Sequence, residues 1–117
     1  MQTDDHAKLR TTKLRVDDNG SYKYFGGHDD QGNLHAGKDD GHVEFRIDVV
    51  GNRWKVENVE FDDNPDGQLS WKPDGDSAVI IHNANTSGMD VKYSVVVRDP
   101  RGQIVRCDPM IHNEPRG

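Results

Sequence analysis

Between His42 and Val50 every second residue is apolar: Val43, Phe45, Ile47 and Val49 alternate with Glu44, Arg46 and Asp48. A period of two puts the first set on one face of a strand and the second set on the other. Similar runs recur along the chain, divided by Gly, Asn, Asp and Pro clusters, and helix signals are poor throughout. Such a chain has few folds open to it, because half-buried strands must cover one another's apolar faces.

The runs can be placed one by one. Leu9 to Val16 reads as a first strand, closed by the turn Asp17-Asp18-Asn19-Gly20, and Ser21 to Phe25 as a second. A polar, glycine-rich stretch from Gly26 to Gly41 reads as a loop. After His42 to Val50, Gly51-Asn52 is a hairpin signal leading into Arg53 to Phe61. Gln68 to Lys72 is a short strand, and Ser77 to Asn83 a buried one, because Ala78-Val79-Ile80-Ile81 is apolar on both faces. Val91 to Arg98 and Gln103 to Ile111 form a last hairpin about Asp99-Pro100-Arg101-Gly102, a type I turn signal with proline second. The expectation is an all-β, single-domain antiparallel sandwich of about seven or eight strands. Val43, Phe45, Ile47, Trp54, Ile80, Val95 and Val97 are its expected core.

Composition agrees with a thin two-layer fold. At 117 residues the chain supports one modest core, and its hydrophobic content is only 32% against 31% charged. Residues 1–7 hold little to bury and read as a disordered start, 8–111 as the sandwich and 112–117 as a tail. A net charge of −6 argues against nucleic acid or an anionic membrane as partner. No apolar leader or spanning stretch is visible, and the single Cys107 suits a reducing compartment, so a cytoplasmic location is expected.

Two segments invite metal readings. Asp62 to Ser70 matches the first nine positions of a calcium loop, yet Pro73 stands where the twelfth-position glutamate belongs. His28, His35 and His42 are evenly spaced among Asp29, Asp30, Asp39 and Asp40, without the short paired spacings or cysteines of structural zinc. Solvated turns explain both, and neither a metal nor another cofactor is expected.

The tail, Cys107-Asp108-Pro109-Met110-Ile111-His112-Asn113-Glu114-Pro115-Arg116-Gly117, carries two acid-proline pairs. An Asp-Pro bond is chemically weak: the side-chain carboxyl can attack its own main-chain carbonyl, and the prolyl nitrogen leaves readily. A fold that orients the bond and protonates that nitrogen would cut itself. Proline and acids also end strands and make turns, so plain punctuation is the competing reading.

With the preceding Val91-Lys92-Tyr93-Ser94-Val95-Val96-Val97 and the turn Asp99 to Gly102, this tail resembles the small bacterial DP-EP family. The similarity runs from the Tyr22–Tyr24 strand to the C-terminus. It implies an immunoglobulin-like β-sandwich with an aspartic-peptidase-like activity directed at the tail. By that resemblance Asp108-Pro109 is the scissile pair, Glu114-Pro115 completes the motif, and Lys92 assists from the preceding strand. One of Tyr22 or Tyr24, and an acid among Asp29 and Asp30, would also assist. In residue terms Asp108 would attack, Lys92 would favour its ionised form and the developing oxyanion, and Tyr24 in particular would serve the leaving nitrogen. The other class of function is a binding or assembly module that meets a protein partner or a second copy through loops, an edge strand or the tail.

Overall fold

The computed structural model of the protein describes residues 8–26, 31–51, 54–64 and 67–113. Ten strand segments occur there: β1 (Lys8–Val16), β2 (Tyr22–Phe25), β3 (Leu34–Ala36), β4 (Val43–Val50), β5 (Lys55–Phe61), β6 (Leu69–Pro73), β7 (Ala78–Asn83), β8 (Met89–Arg98), β9 (Ile104–Cys107) and β10 (Met110–Asn113). They form one sheet in the order β2-β1-β4-β7-β6 and a second in the order β3-β10-β8-β5, with β9 also on β8. Among the described residues no helix is long and apolar enough to cross a membrane.

The sheets are mixed, which corrects the purely antiparallel expectation. β1 runs parallel to β4, from Lys8 opposite Val43 to Arg15 opposite Val50, and β3 runs parallel to β10. Parallel neighbours need a long connection. The stretch between β1 and β4 supplies one, laying β2 against β1 and β3 in the other sheet on its way. Periodicity reports which residues form a strand, not the direction of its neighbour.

The segment count also exceeds the expected seven or eight. Leu34–Ala36 pairs as β3 inside the stretch expected to be loop, with Leu34 and Ala36 buried. The expected last strand is two segments, and β10 takes in His112 and Asn113, which the alternation assigns to the tail. β9 and β10 nevertheless share one register on β8, from Arg98 opposite Ile104 to Met89 opposite Asn113, so no residue is inserted at the break. The hairpin turn matches its sequence signal. Gly102 N–H bonds to Asp99 O at 3.0 Å, and the Asp99 carboxylate accepts the N–H groups of Arg101 and Gln103. Gly102 closes the turn at φ 87°, a conformation glycine adopts without strain.

Inward residues of both sheets meet in a single core. Val43, Phe45 and Ile47 of β4 and Val95 and Val97 of β8 are buried there, as is Trp54. Ile80 is not: β7 turns Val79 and Ile81 inward and leaves Ile80 half-exposed, near Trp71 and His82 on the outer side. An apolar run cannot reveal which of two adjacent isoleucines faces the core. Ile81→Ala should therefore destabilise the protein by about 2–5 kcal/mol in urea unfolding, and Ile80→Ala by roughly half of that or less.

Candidate functional site

Asp108-Pro109 lies at the join between β9 and β10, inside a ladder and not beyond it. Tyr93 N–H bonds to Pro109 O at 3.0 Å, and the reciprocal bond of that pair cannot form because proline has no N–H. This missing donor is what divides the strand. On the same register Ser94 faces Asp108, one step from the hydrogen-bonded pair, where facing side chains come closest. The Ser94 hydroxyl accordingly donates to Asp108 Oδ1 at 2.5 Å on the outer face of the sheet. Asp108 is exposed and Pro109 buried.

The peptide unit just before Asp108 is gripped from the other sheet. The Tyr24 hydroxyl donates to Cys107 O at 2.9 Å in the interior, and Asp108 N–H donates to the Tyr22 phenol oxygen at 3.3 Å. The two tyrosines share one side of β2, with rings edge-on at 6.2 Å, and bridge the edges of the two sheets. Tyr24 has its seat because Gly32 has no side chain: a Cβ there would stand 2.3 Å from the Tyr24 ring. Tyr93 completes the cluster, donating its hydroxyl to Gly32 O at 2.7 Å. Burial, followed by the neighbouring Tyr93 and Cys107, pushes the Tyr24 phenol far above the usual tyrosine range. Tyr24 thus keeps the proton that it shares with Cys107 O and is a poor general acid.

The three residues named for catalysis are only partly brought together. Lys92 and Asp108 share the outer face as diagonal neighbours, since Lys92 opposes Met110, two residues on from Asp108. Among the described residues no ion pair joins them; the Lys92 main chain is instead engaged with Asp62, at 3.0 and 3.2 Å. Tyr24 lies on the inner side, bonded one peptide upstream of the Asp-Pro bond. Tyr22 is the tyrosine that touches Asp108 itself. Ser94, whose hydroxyl bonds to the Asp108 carboxylate, is a site residue that the sequence does not single out. The signal for it is the turn Asp99 to Gly102, which sets the register and so puts Ser94 opposite Asp108. Asp29, Asp30 and the pair Glu114-Pro115 lie outside the described residues.

The two metal candidates are used differently. In the Asp62–Ser70 loop, Asn64 bonds to both the N–H and the C=O of Leu69, and Asp62 caps Lys92 N–H. The Asn64 oxygen serves the turn itself and the Asp62 oxygen ties it to β8, while Asp66 lies outside the described residues. His35 stacks on His112 at 5.4 Å, whereas His42 sits edge-on to His82 at 5.3 Å in the other sheet; His28 lies outside the described residues. No group of three or more histidine, cysteine or acidic side chains among the described residues could hold a metal ion.

No protein-family model matches the chain, and no curated protein matches it in sequence.

The site has one clear titration consequence. Burial, and secondarily the Asp108 charge, pushes the Cys107 thiol up to about 12 from its ordinary 9.0. A raised pKa in the folded state means stability fully present below pH 9 and lost as pH rises toward about 12. The urea midpoint should fall over that window more steeply than for Cys107→Ala, and native Cys107 should resist alkylation at pH 8 until the chain is unfolded.

Proposed function

We propose that the protein processes itself at Asp108-Pro109. The observation that carries this reading is the Ser94–Asp108 hydrogen bond, which holds the carboxylate beside its own prolyl bond at the single prolyl break in the β8 ladder. A free Oδ of Asp108 would attack the Asp108 main-chain carbonyl carbon. As the C–N bond to Pro109 breaks, a five-membered cyclic anhydride forms and the prolyl nitrogen takes a proton to leave as a secondary amine. Water then opens the anhydride, leaving two carboxyl groups on Asp108 and a new N-terminus at Pro109.

Each neighbour has a role in that sequence. Ser94 restricts the Asp108 side chain, so less rotational freedom is lost on reaching the attacking geometry. Lys92, diagonal on the same face, supplies positive charge as the carbonyl oxygen becomes anionic. The help to the leaving nitrogen falls to Tyr22 or a water beside it, because burial makes Tyr24 hold its proton. Two sheets around one core, ending in the β8–β9 hairpin, support an immunoglobulin-like sandwich of the kind found in the DP-EP family, here with parallel pairings at β1–β4 and β3–β10.

The second reading is a binding module without chemistry. It is favoured by the burial of Pro109, since the dipeptide then has a structural use as a strand break. Such a module would work through its loops or the outer strands β2 and β3, because the outer strands β5 and β6 resist pairing. β5 is bulged between Val56 and Asn58, and β6 ends at Pro73.

Intact mass separates the two readings. Folded protein should lose the Asp108-Pro109 bond over days while Asp99-Pro100, in its tight turn, survives, and chain unfolded in denaturant should show no such preference. Asp108→Ala should abolish the cut, and Lys92→Ala should slow it by about ten- to a hundredfold. An uncut native chain, or equal cleavage at both bonds with and without denaturant, would leave the module reading.

A further inference from the structure

Resting on the processing reading, we propose that scission after Asp108 yields a nicked molecule in which residues 109–113 stay seated as β10, and not a shortened chain with a free peptide. The segment downstream of the bond is built into the sheet on both sides. Met110 to Asn113 pair with Lys92 to Met89 of β8, and Ile111 to Asn113 pair with Leu34 to Ala36 of β3. Ile111 is fully buried and Asn113 is 1% exposed. A leaving tail has neither property.

The anchor is a buried amide cluster at the end of β10. Asn113 Nδ2 donates to Gln68 Oε1, Asn83 Oδ1 and Ser87 O at 3.2 to 3.3 Å, and Asn83 Nδ2 donates back to Asn113 Oδ1 at 2.6 Å. Gln68 Oε1 also accepts the N–H groups of Thr86 and Ser87. Asn83 and Gln68 are themselves buried, at 0% and 2% exposed. Withdrawal of β10 would strip these amides of partners where water cannot replace them at once, which is costly in a buried network. On the outer face the His112 ring lies 2.5 Å from Asp90 Oδ1 and stacks on His35. At the new end, Met110 N–H is held by Asn33 Oδ1 at 3.0 Å, and Pro109 O by Tyr93 N–H. None of these contacts passes through the Asp108-Pro109 bond, so cutting it removes none of them.

The seat of β10 can be tested with and without scission. In the intact chain, hydrogen exchange at the Ile111 and Asn113 amides should lie within about tenfold of that at Val95 and Val97 in β8. Exchange more than about a hundredfold faster would mean that β10 opens by itself, and would overturn the proposal. In chain that has cut itself, size exclusion under native conditions followed by denaturing mass spectrometry should find both pieces in one peak. A peak that retains only residues 1–108 would also overturn it. A chain that never cuts removes the processing reading, while the exchange rates still decide whether β10 is an anchored strand.

Discussion

Strand β8 organises half of the molecule, because strands lie along both of its edges: β5 against Tyr93 to Arg98 on one side, and β9 and then β10 along the other. A single register runs through β9 and β10, set by the four residues Asp99 to Gly102. From that register follow the inward positions of Val91, Tyr93, Val95 and Val97, the meeting of Ser94 with Asp108, and the seat of Asn113 beside Met89. A shift of one residue would exchange every inward side chain for an outward one. The proline that interrupts the ladder removes one donor without disturbing that count.

The two sheets are joined by polar contacts as well as by the core. Tyr24 and Tyr22 reach from β2 to the Cys107–Asp108 peptide at one side, and Asn83, Gln68 and Asn113 interlock at another. Buried hydroxyls and amides are costly when unpaired, so each such contact also dictates where its partner strand must lie. The charged pairs on the outer faces do less. Arg98–Glu57 and Arg106–Glu60 are largely solvated, and pairs of that kind contribute little to stability. The Asp108 region is thus rigid upstream through the tyrosines and downstream through β10, with its carboxylate on the exposed face between them.

Much of the strand content was legible in the residues. Alternation located β1, β2, β4, β5, β6 and β8 to within a few positions, since a half-exposed strand must alternate, and a run apolar on both faces located β7. It missed β3, whose three residues are too few to show a period. It misjudged Ile80, because a run apolar on both faces carries no phase. Lys92 could be read as outward from its strand, but not its engagement with Asp62. Tyr24 could be named as a partner of the tail, but not its burial, which depends on Gly32 leaving room for the ring. Ser94 carries no mark in the sequence, because a serine in a valine-rich strand looks like any outward polar residue until the facing strand is known.

What the sequence determined by itself is local: strand or turn, the two faces of each clean alternation, the Asp99–Gly102 turn, and the chemical weakness of an Asp-Pro bond. These depend on backbone sterics and on bonds within a few residues of one another. The tertiary structure decided the parallel pairings, the split of the last strand into β9 and β10, and the burial of the segment beyond Asp108. It also decided that Asp108 meets Ser94 and Tyr22 and makes no ion pair with Lys92. Those outcomes depend on which surfaces remain once every strand has covered its apolar face, a condition set by the whole chain together and written in no single segment.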